Sequence, residues 1–173
     1  MSGIQALKTF LNILHNFLLG ASFRAANSTD PFSRASLQPI ADYIQSHITS
    51  FPDIGIICGS GLGELANLVE NPVILPYSSI PGKNEQSKML VSMNPYLTGF
   101  PVSTAPGHSG RLVFGLLAGA NVVIMQGRLH AYEGHPLWLC TLPVRIFRML
   151  GVTHLIVTNA VGGLNPKYKV TQI

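Results

Sequence analysis

The amino-acid sequence predicts an α/β fold, with a mixed, mainly parallel sheet flanked by helices. One reason is that short apolar runs alternate along the chain with segments whose apolar residues recur at helical spacing. A second reason is that some of these runs are apolar at every position. The run "IGIIC" at 54–58 is apolar throughout and is followed directly by glycine. Such runs are typical of strands that are buried on both faces of a parallel sheet.

The first elements follow from these patterns in chain order. A helix is predicted over 36–47, and Pro52 and Asp53 end the pattern. The strand at 54–58 comes next. The glycine loop at 59–63 then opens into a predicted second helix that ends near 71–72. The apolar face of the first helix is formed by Leu37, Ile40, Ala41 and Ile44.

The later elements continue the alternation. The run at 73–80 is predicted to be a strand, and 111–117 and 121–126 are predicted to form a strand pair with a turn at 118–120. A helix is predicted over 135–151, with Pro136 in its first turn and Gly151 at its end. Pro143 is expected to kink it. A last strand begins at 154.

Composition limits the function classes. The 173 residues suffice for one domain with a real core. Only 10% of them are charged, against roughly 25% in typical domains, so part of the surface is expected to face another subunit or another part of a longer chain. The 11 Lys and Arg are scattered, so nucleic acid is not an expected partner. Cys58 and Cys140 have no zinc-site spacing and are expected to be reduced, buried thiols of a cytoplasmic protein.

The first 31 residues are treated as an extension, and the domain as 32–173. The apolar stretch at 9–23 follows Lys8 and resembles a weak signal or transit segment. An amphipathic helix or a poorly ordered extension is the alternative. Polar residues interrupt the stretch, and it is too short to span a bilayer comfortably, so no membrane association is expected.

Polar and small residues gather where three predicted strands end. These segments are the glycine loop at 59–63, the run at 127–130 and the turn at 159–163. A fourth loop, at 104–111, carries His108 between small residues. Ligands of open α/β sheets bind beyond the carboxyl ends of the strands, so a site is expected there.

Two of these segments point to an anion. The glycine loop can turn backbone N–H groups toward an anion, and Ser60 adds a hydroxyl, although a tight strand-to-helix turn explains the loop equally well. The loop is neither a dinucleotide fingerprint nor a P-loop. Arg128 offers paired donors that match phosphate, the alternative being a structural ion pair. Acidic partners are scarce, since only Glu85 and Glu133 follow Glu70.

The neighbours of Arg128 extend this site. His130 can donate to the anion, Glu133 can orient or protonate its ring, and Tyr132 presents a flat face with a polar tip. His108 is as compatible with a core histidine as with a site residue. Together these residues predict a site for phosphate or a small anion. Neither a metal set nor a pair of catalytic carboxylates is evident.

The residues also resemble a known family. The stretches "IICGSGLGEL", "STAPGHSGRLVFG", "MQGRLHAYEGHPLW" and "PVRIFRMLGVTHLIVTNAVGGLNP" resemble the trimeric purine nucleoside phosphorylases. The resemblance implies phosphorolysis of purine nucleosides to free base and ribose 1-phosphate in purine salvage, by a cytoplasmic homotrimer that uses phosphate as co-substrate and no cofactor. It implies that phosphate is held by Ser60, His108, Arg128, His130 and Ala160. It further implies that His130 and Glu133 are the catalytic residues, with Glu133 supporting His130, and that Tyr132 touches the ribose.

The sequence departs from this family in places. Residues 83–99 read as an inserted mobile surface loop, Val161 replaces a usual alanine, and the sequence stops at Ile173 where the family continues. The continuation normally carries the base-contacting residues, so the chain alone is expected to turn over poorly. A non-catalytic protein that binds phosphate or another subunit is the alternative function.

Overall fold

A computed structural model describes residues 33–59, 61–80, 100–101 and 109–159. The predictions for 1–31 and 83–99 lie outside these residues. The described part contains one five-stranded sheet. Its strands are β1 (Ile54–Ile57), β2 (Glu70–Pro76), β3 (Arg111–Leu117), β4 (Ala120–Gln126) and β5 (His154–Val157). The α-helices are α1 (Arg34–His47), α2 (Leu137–Cys140) and α3 (Leu142–Met149), and short 3-10 helices span Gly63–Leu68, Tyr77–Ser79 and Ala131–Glu133.

The sheet is mixed, as the sequence predicts, with strand order β2-β3-β4-β1-β5. Strand β1 pairs in parallel with β4 and with β5, whereas β2–β3 and β3–β4 are antiparallel. Parallel and antiparallel pairs are therefore equal in number in the described part. The predicted turn between β3 and β4 is confirmed. Ala118 and Gly119 form it with φ of 50° and 80°, the positive values that a tight two-residue hairpin requires.

Helix α1 confirms the first predicted helix. The Ser33 hydroxyl accepts a hydrogen bond from the Ser36 backbone N–H at 3.1 Å and so caps the helix at its start. The four apolar residues that predicted the helix are all buried. Leu37, Ile40 and Ile44 belong to the larger core cluster, and α1 contacts α3.

The helix predicted after the glycine loop is wrong. That segment forms only the 3-10 helix Gly63–Leu68, and β2 begins at Glu70. Of this 3-10 helix only Ala66 is buried, and Leu68 is 66% exposed. The segment thus lacks an apolar stripe wide enough to hold a longer helix against the sheet.

The single helix predicted over 135–151 is divided in two. Helix α2 ends at Cys140 and α3 begins at Leu142, with Thr141 between them. Pro143 lies in the first turn of α3. It has no N–H to donate to a preceding carbonyl, so the expected kink is realised as a break in the helix. The Thr141 hydroxyl donates to the Trp138 carbonyl at 2.8 Å and closes the junction.

The core lies on both faces of the sheet. Val123 and Met125 of β4 belong to the larger cluster, which α1 and α3 cover, and Val122 and Ile124 belong to a smaller cluster on the opposite face. This alternation explains why the central strands are apolar at nearly every position. It also gives β4 and β1 rigid support up to their carboxyl ends.

In the part of the chain described, no helix is both long and apolar enough to cross a bilayer.

Candidate functional site

The carboxyl ends of β4, β1 and β5 lie side by side. Ile57 at the end of β1 is in register with Met125 and with Val157. The pairing continues past the strands, since the Cys58 N–H donates to the Met125 carbonyl at 3.1 Å and the Thr158 N–H donates to the Ile57 carbonyl at 3.0 Å. The sheet therefore brings together the beginnings of all three segments that the sequence predicts to form the site.

Arg128 follows β4 by two residues and crosses toward β5. Its Nη1 lies 3.5 Å from the carbonyl oxygen of Thr158, to which it donates. The side chain is half-buried. A guanidinium is thus held at the edge where the three strands end, and its local field favours an anion there.

His130 and Glu133 form a partly buried pair that follows Arg128 in the chain. One carboxylate oxygen, Oε1 of Glu133, accepts from the His130 backbone N–H at 3.0 Å and lies 2.8 Å from His130 Nδ1. The Glu133 side chain is only 2% exposed. A carboxylate only accepts, so Nδ1 carries the proton of this contact, and Nε2 lies on the opposite edge of the ring. The Glu133 carboxylate therefore orients the imidazole.

The turn between these two residues presents Tyr132. Its ring stacks on the His130 ring with centroids 4.6 Å apart and an interplanar angle of 21°. The side chain is 77% exposed. A flat aromatic face thus stands at the rim of the site, in contact with the oriented histidine.

Removing the buried carboxylate should loosen this turn. Glu133→Ala leaves two donors of His130 without their acceptor, and we expect a loss of about 2 kcal/mol in the free energy of unfolding. Glu133→Gln is the matched control, because its amide oxygen can still accept, and it should retain most of the stability. Urea unfolding of both variants measures the difference. Unchanged stability in Glu133→Ala would show that the two hydrogen bonds contribute nothing.

Three predicted site residues, Ser60, His108 and Ala160, lie outside the residues that the structure describes. Gly59 and Asn159, which directly precede two of them, do lie at the carboxyl ends of β1 and β5. Among residues that can be placed, no group of three His, Cys, Asp or Glu side chains could hold a metal ion.

Burial raises the pKa of the thiols of Cys58 and Cys140, and the charge of Glu133 raises the pKa of Cys140 further.

A family model confirms the resemblance seen in the sequence. The model of the phosphorylase superfamily matches residues 53–173. The chain belongs to this superfamily. Among its relatives, the purine nucleoside phosphorylase of Bos taurus is 48% identical over 136 residues, which are 79% of this chain and 41% of the bovine protein. The chain thus spans less than half the length of this curated relative.

Solved structures from the same superfamily share the fold. Purine nucleoside phosphorylase from Schistosoma mansoni in complex with inosine superposes with a TM-score of 0.63 at 40% identity, covering 79% of this chain and 41% of that one. A purine nucleoside phosphorylase in complex with ribose-1-phosphate superposes with a TM-score of 0.62 at 44% identity, covering 77% of this chain and 43% of that one.

Sequence reasoning missed three residues that support the site of this superfamily member. The Tyr77 hydroxyl donates to the Gly127 carbonyl at 2.8 Å, just before Arg128. Gln126 and Thr158 hold the two ends of the glycine loop. Each is a polar side chain within or directly after an apolar run. This unusual position is the feature of the sequence that could have identified these residues. Their partners are 50 to 99 residues away, so no local pattern identifies them.

The buried Tyr77 hydroxyl predicts a pH-dependent stability. Burial, and secondarily Cys58, raises the pKa of Tyr77 above its ordinary value of 10.0. The unfolded state then loses this proton first, so the contribution is complete below about pH 10 and is lost as the pH rises further. Tyr77→Phe should cost about 1 kcal/mol at pH 7 and flatten the alkaline decline. Urea midpoints at pH 7 and 10.5 test this, and parallel declines in both proteins would contradict it.

Proposed function

We propose that this chain acts in a purine nucleoside phosphorylase, which cleaves purine ribonucleosides and 2'-deoxyribonucleosides to free base and (deoxy)ribose 1-phosphate. The observation that carries the proposal is that Arg128 reaches the Thr158 carbonyl at the carboxyl ends of the strands, two residues before His130, whose ring is oriented by Glu133. The relatives named above support it, since one is in complex with inosine and another with ribose-1-phosphate.

The chemistry explains why an anion site suits this reaction. As the bond between ribose and purine stretches, positive charge builds on the sugar. A phosphate dianion stabilises that charge, and one of its oxygens then forms a bond to the anomeric carbon. The electron pair of the broken C–N bond leaves with the purine, which takes up a proton. The protein's task is to hold the phosphate below the sugar and to orient the reactants.

Each site residue has a role in this scheme. Arg128 and His130 bind phosphate, Arg128 through its paired N–H groups and His130 through Nε2, while Glu133 fixes the imidazole. Ser60, His108 and Ala160 complete the phosphate site. Tyr132 contacts the ribose with its exposed ring. No metal or organic cofactor takes part, and phosphate itself is the second substrate.

The cellular setting belongs to the same proposal. The enzyme acts as a homotrimer in the cytoplasm, in purine salvage. The low share of charged residues supports an assembly, because 10% leaves little charge to cover a solvated surface. Sedimentation at several protein concentrations tests the trimer.

Phosphorolysis of inosine tests the proposed activity directly. Turnover should be slow, since the chain spans 41% of its bovine relative, but ribose 1-phosphate and hypoxanthine should appear in equal amounts when inosine and inorganic phosphate are both present. Omission of phosphate should abolish the reaction, and uridine should not replace inosine. Calorimetry that shows phosphate binding, with no turnover of any purine nucleoside, would reduce the function to phosphate binding.

A further inference from the structure

We propose that Thr158 and Gln126 are positioning residues that fasten the glycine loop at its two ends and thereby set the geometry of the phosphate site. The proposal rests on the proposed function for the identity of the ligand. The contacts themselves are independent of that function. They join the loop after β1 to both neighbouring strands, β5 and β4.

Thr158 fastens the first residue of the loop. Its hydroxyl oxygen accepts from the Gly59 N–H at 2.8 Å and donates to the Ile57 carbonyl at 3.3 Å. The Thr158 carbonyl in turn accepts from Arg128. A hydroxyl is needed because only a group that both donates and accepts can make the first two bonds. One residue thus links the end of β1, the start of the glycine loop and the phosphate-binding guanidinium.

Gln126 fastens the last residue of the loop. Its Nε2 donates to the Gly63 carbonyl at 2.8 Å, and its Oε1 accepts from Nε of Arg111 at 2.5 Å. Arg111 lies opposite Gln126 in the β3–β4 register. Because a guanidinium only donates, it fixes the amide with oxygen toward Arg111 and nitrogen toward Gly63. The side chain is 7% exposed, so water competes little for these bonds.

The two contacts together define the loop. The Leu62 N–H also donates to the Gly59 carbonyl at 3.1 Å, so the two described sides of the loop are joined directly. Backbone N–H groups bind an anion well only when their directions are set beforehand. The Thr158 and Gln126 side chains therefore preorganise the loop without having to contact the phosphate.

The experiment compares Thr158→Val, which keeps the shape and loses the hydroxyl, with Thr158→Ser, which keeps the hydroxyl. Hydrogen exchange of the Gly59 amide should become about tenfold faster in Thr158→Val and stay unchanged in Thr158→Ser. The Cys58 amide is the internal control, because its acceptor is the Met125 carbonyl. The dissociation constant for inorganic phosphate, measured by calorimetry, should rise about tenfold in Thr158→Val and recover in Thr158→Ser.

A second variant distinguishes a change in the loop from a general folding defect. Gln126→Met has similar volume. It should speed hydrogen exchange of the Leu62 amide, which donates to the Gly59 carbonyl, and should weaken phosphate binding. Unchanged phosphate affinity in both Thr158→Val and Gln126→Met would overturn the positioning role. If the unaltered chain binds no phosphate, the proposed function fails. The Gly59 and Leu62 exchange rates then still decide whether the loop is fastened as proposed.

Discussion

Gly59→Ala is expected to destabilise the chain by about 3 kcal/mol and to abolish measurable phosphate binding. A Cβ at this position would lie 2.5 Å from the Thr158 carbonyl oxygen and 3.0 Å from the Asn159 Cα. Both are backbone atoms, so no side-chain rotation relieves the overlap. The loop or the end of β5 must move, and either movement breaks the hydrogen bond between Gly59 and Thr158.

Gly63→Ala is the matched control at the other end of the same loop. There the nearest atom to the added Cβ is Nε2 of Gln126, at an ordinary contact distance of 3.4 Å. We expect a change within about 1 kcal/mol and retained phosphate affinity. Urea unfolding and phosphate calorimetry compare the two variants. The interpretation fails if Gly59→Ala is as stable as Gly63→Ala.

The sheet was predictable because its strands obey local rules. Strands β1 and β4 are buried on both faces and therefore read as continuous apolar runs, and a two-residue turn joins β3 to β4. Helix α1 shows its buried face at regular spacing. The kink expected at Pro143 marked the place where the predicted helix is divided, although a full break was not predicted.

The sequence-based predictions of secondary structure were wrong where tertiary contacts override a local pattern. Residues 63–68 have helical character, but Leu68 is exposed and Leu65 is only partly buried, so only a 3-10 helix forms. β2 then starts earlier than its apolar run, at Glu70, because its pairing with β3 begins there. Such pairing depends on a partner strand more than 40 residues further along the chain and leaves no mark in the local sequence.

The site was predictable in outline for a topological reason. Parallel strands place their carboxyl ends at one edge, so polar residues after β1, β4 and β5 were expected to meet there. The structure brings Gly59, Arg128 and Thr158 together in this way. The predicted role of Glu133 beside His130 has a matching contact at 2.8 Å. The roles of all the site residues in binding phosphate or ribose stay predictions, and Ser60, His108 and Ala160 lie outside the described residues.

Among the side chains of the site, Arg128 should have the largest effect on phosphate binding. Arg128→Met removes the charge and every donor at similar length, and we expect phosphate affinity to fall on the order of a hundredfold or more. Arg128→Lys keeps the charge but replaces the planar pair of donors with a compact ammonium, and a loss of about tenfold is expected. Calorimetry with inorganic phosphate at constant ionic strength measures both.

Two controls separate ligand recognition from structure and from the Arg-to-Lys substitution itself. Arg34→Lys makes the same substitution at an exposed position at the start of α1 and should leave phosphate affinity unchanged. Urea unfolding of Arg128→Lys shows how much of any loss comes from the contact with the Thr158 carbonyl. That contact is long, at 3.5 Å, so its removal should cost little stability. Phosphate affinity that is equal in Arg128→Lys and in the unaltered chain would remove Arg128 from the site, and the anion would then have to be held by the backbone of the glycine loop.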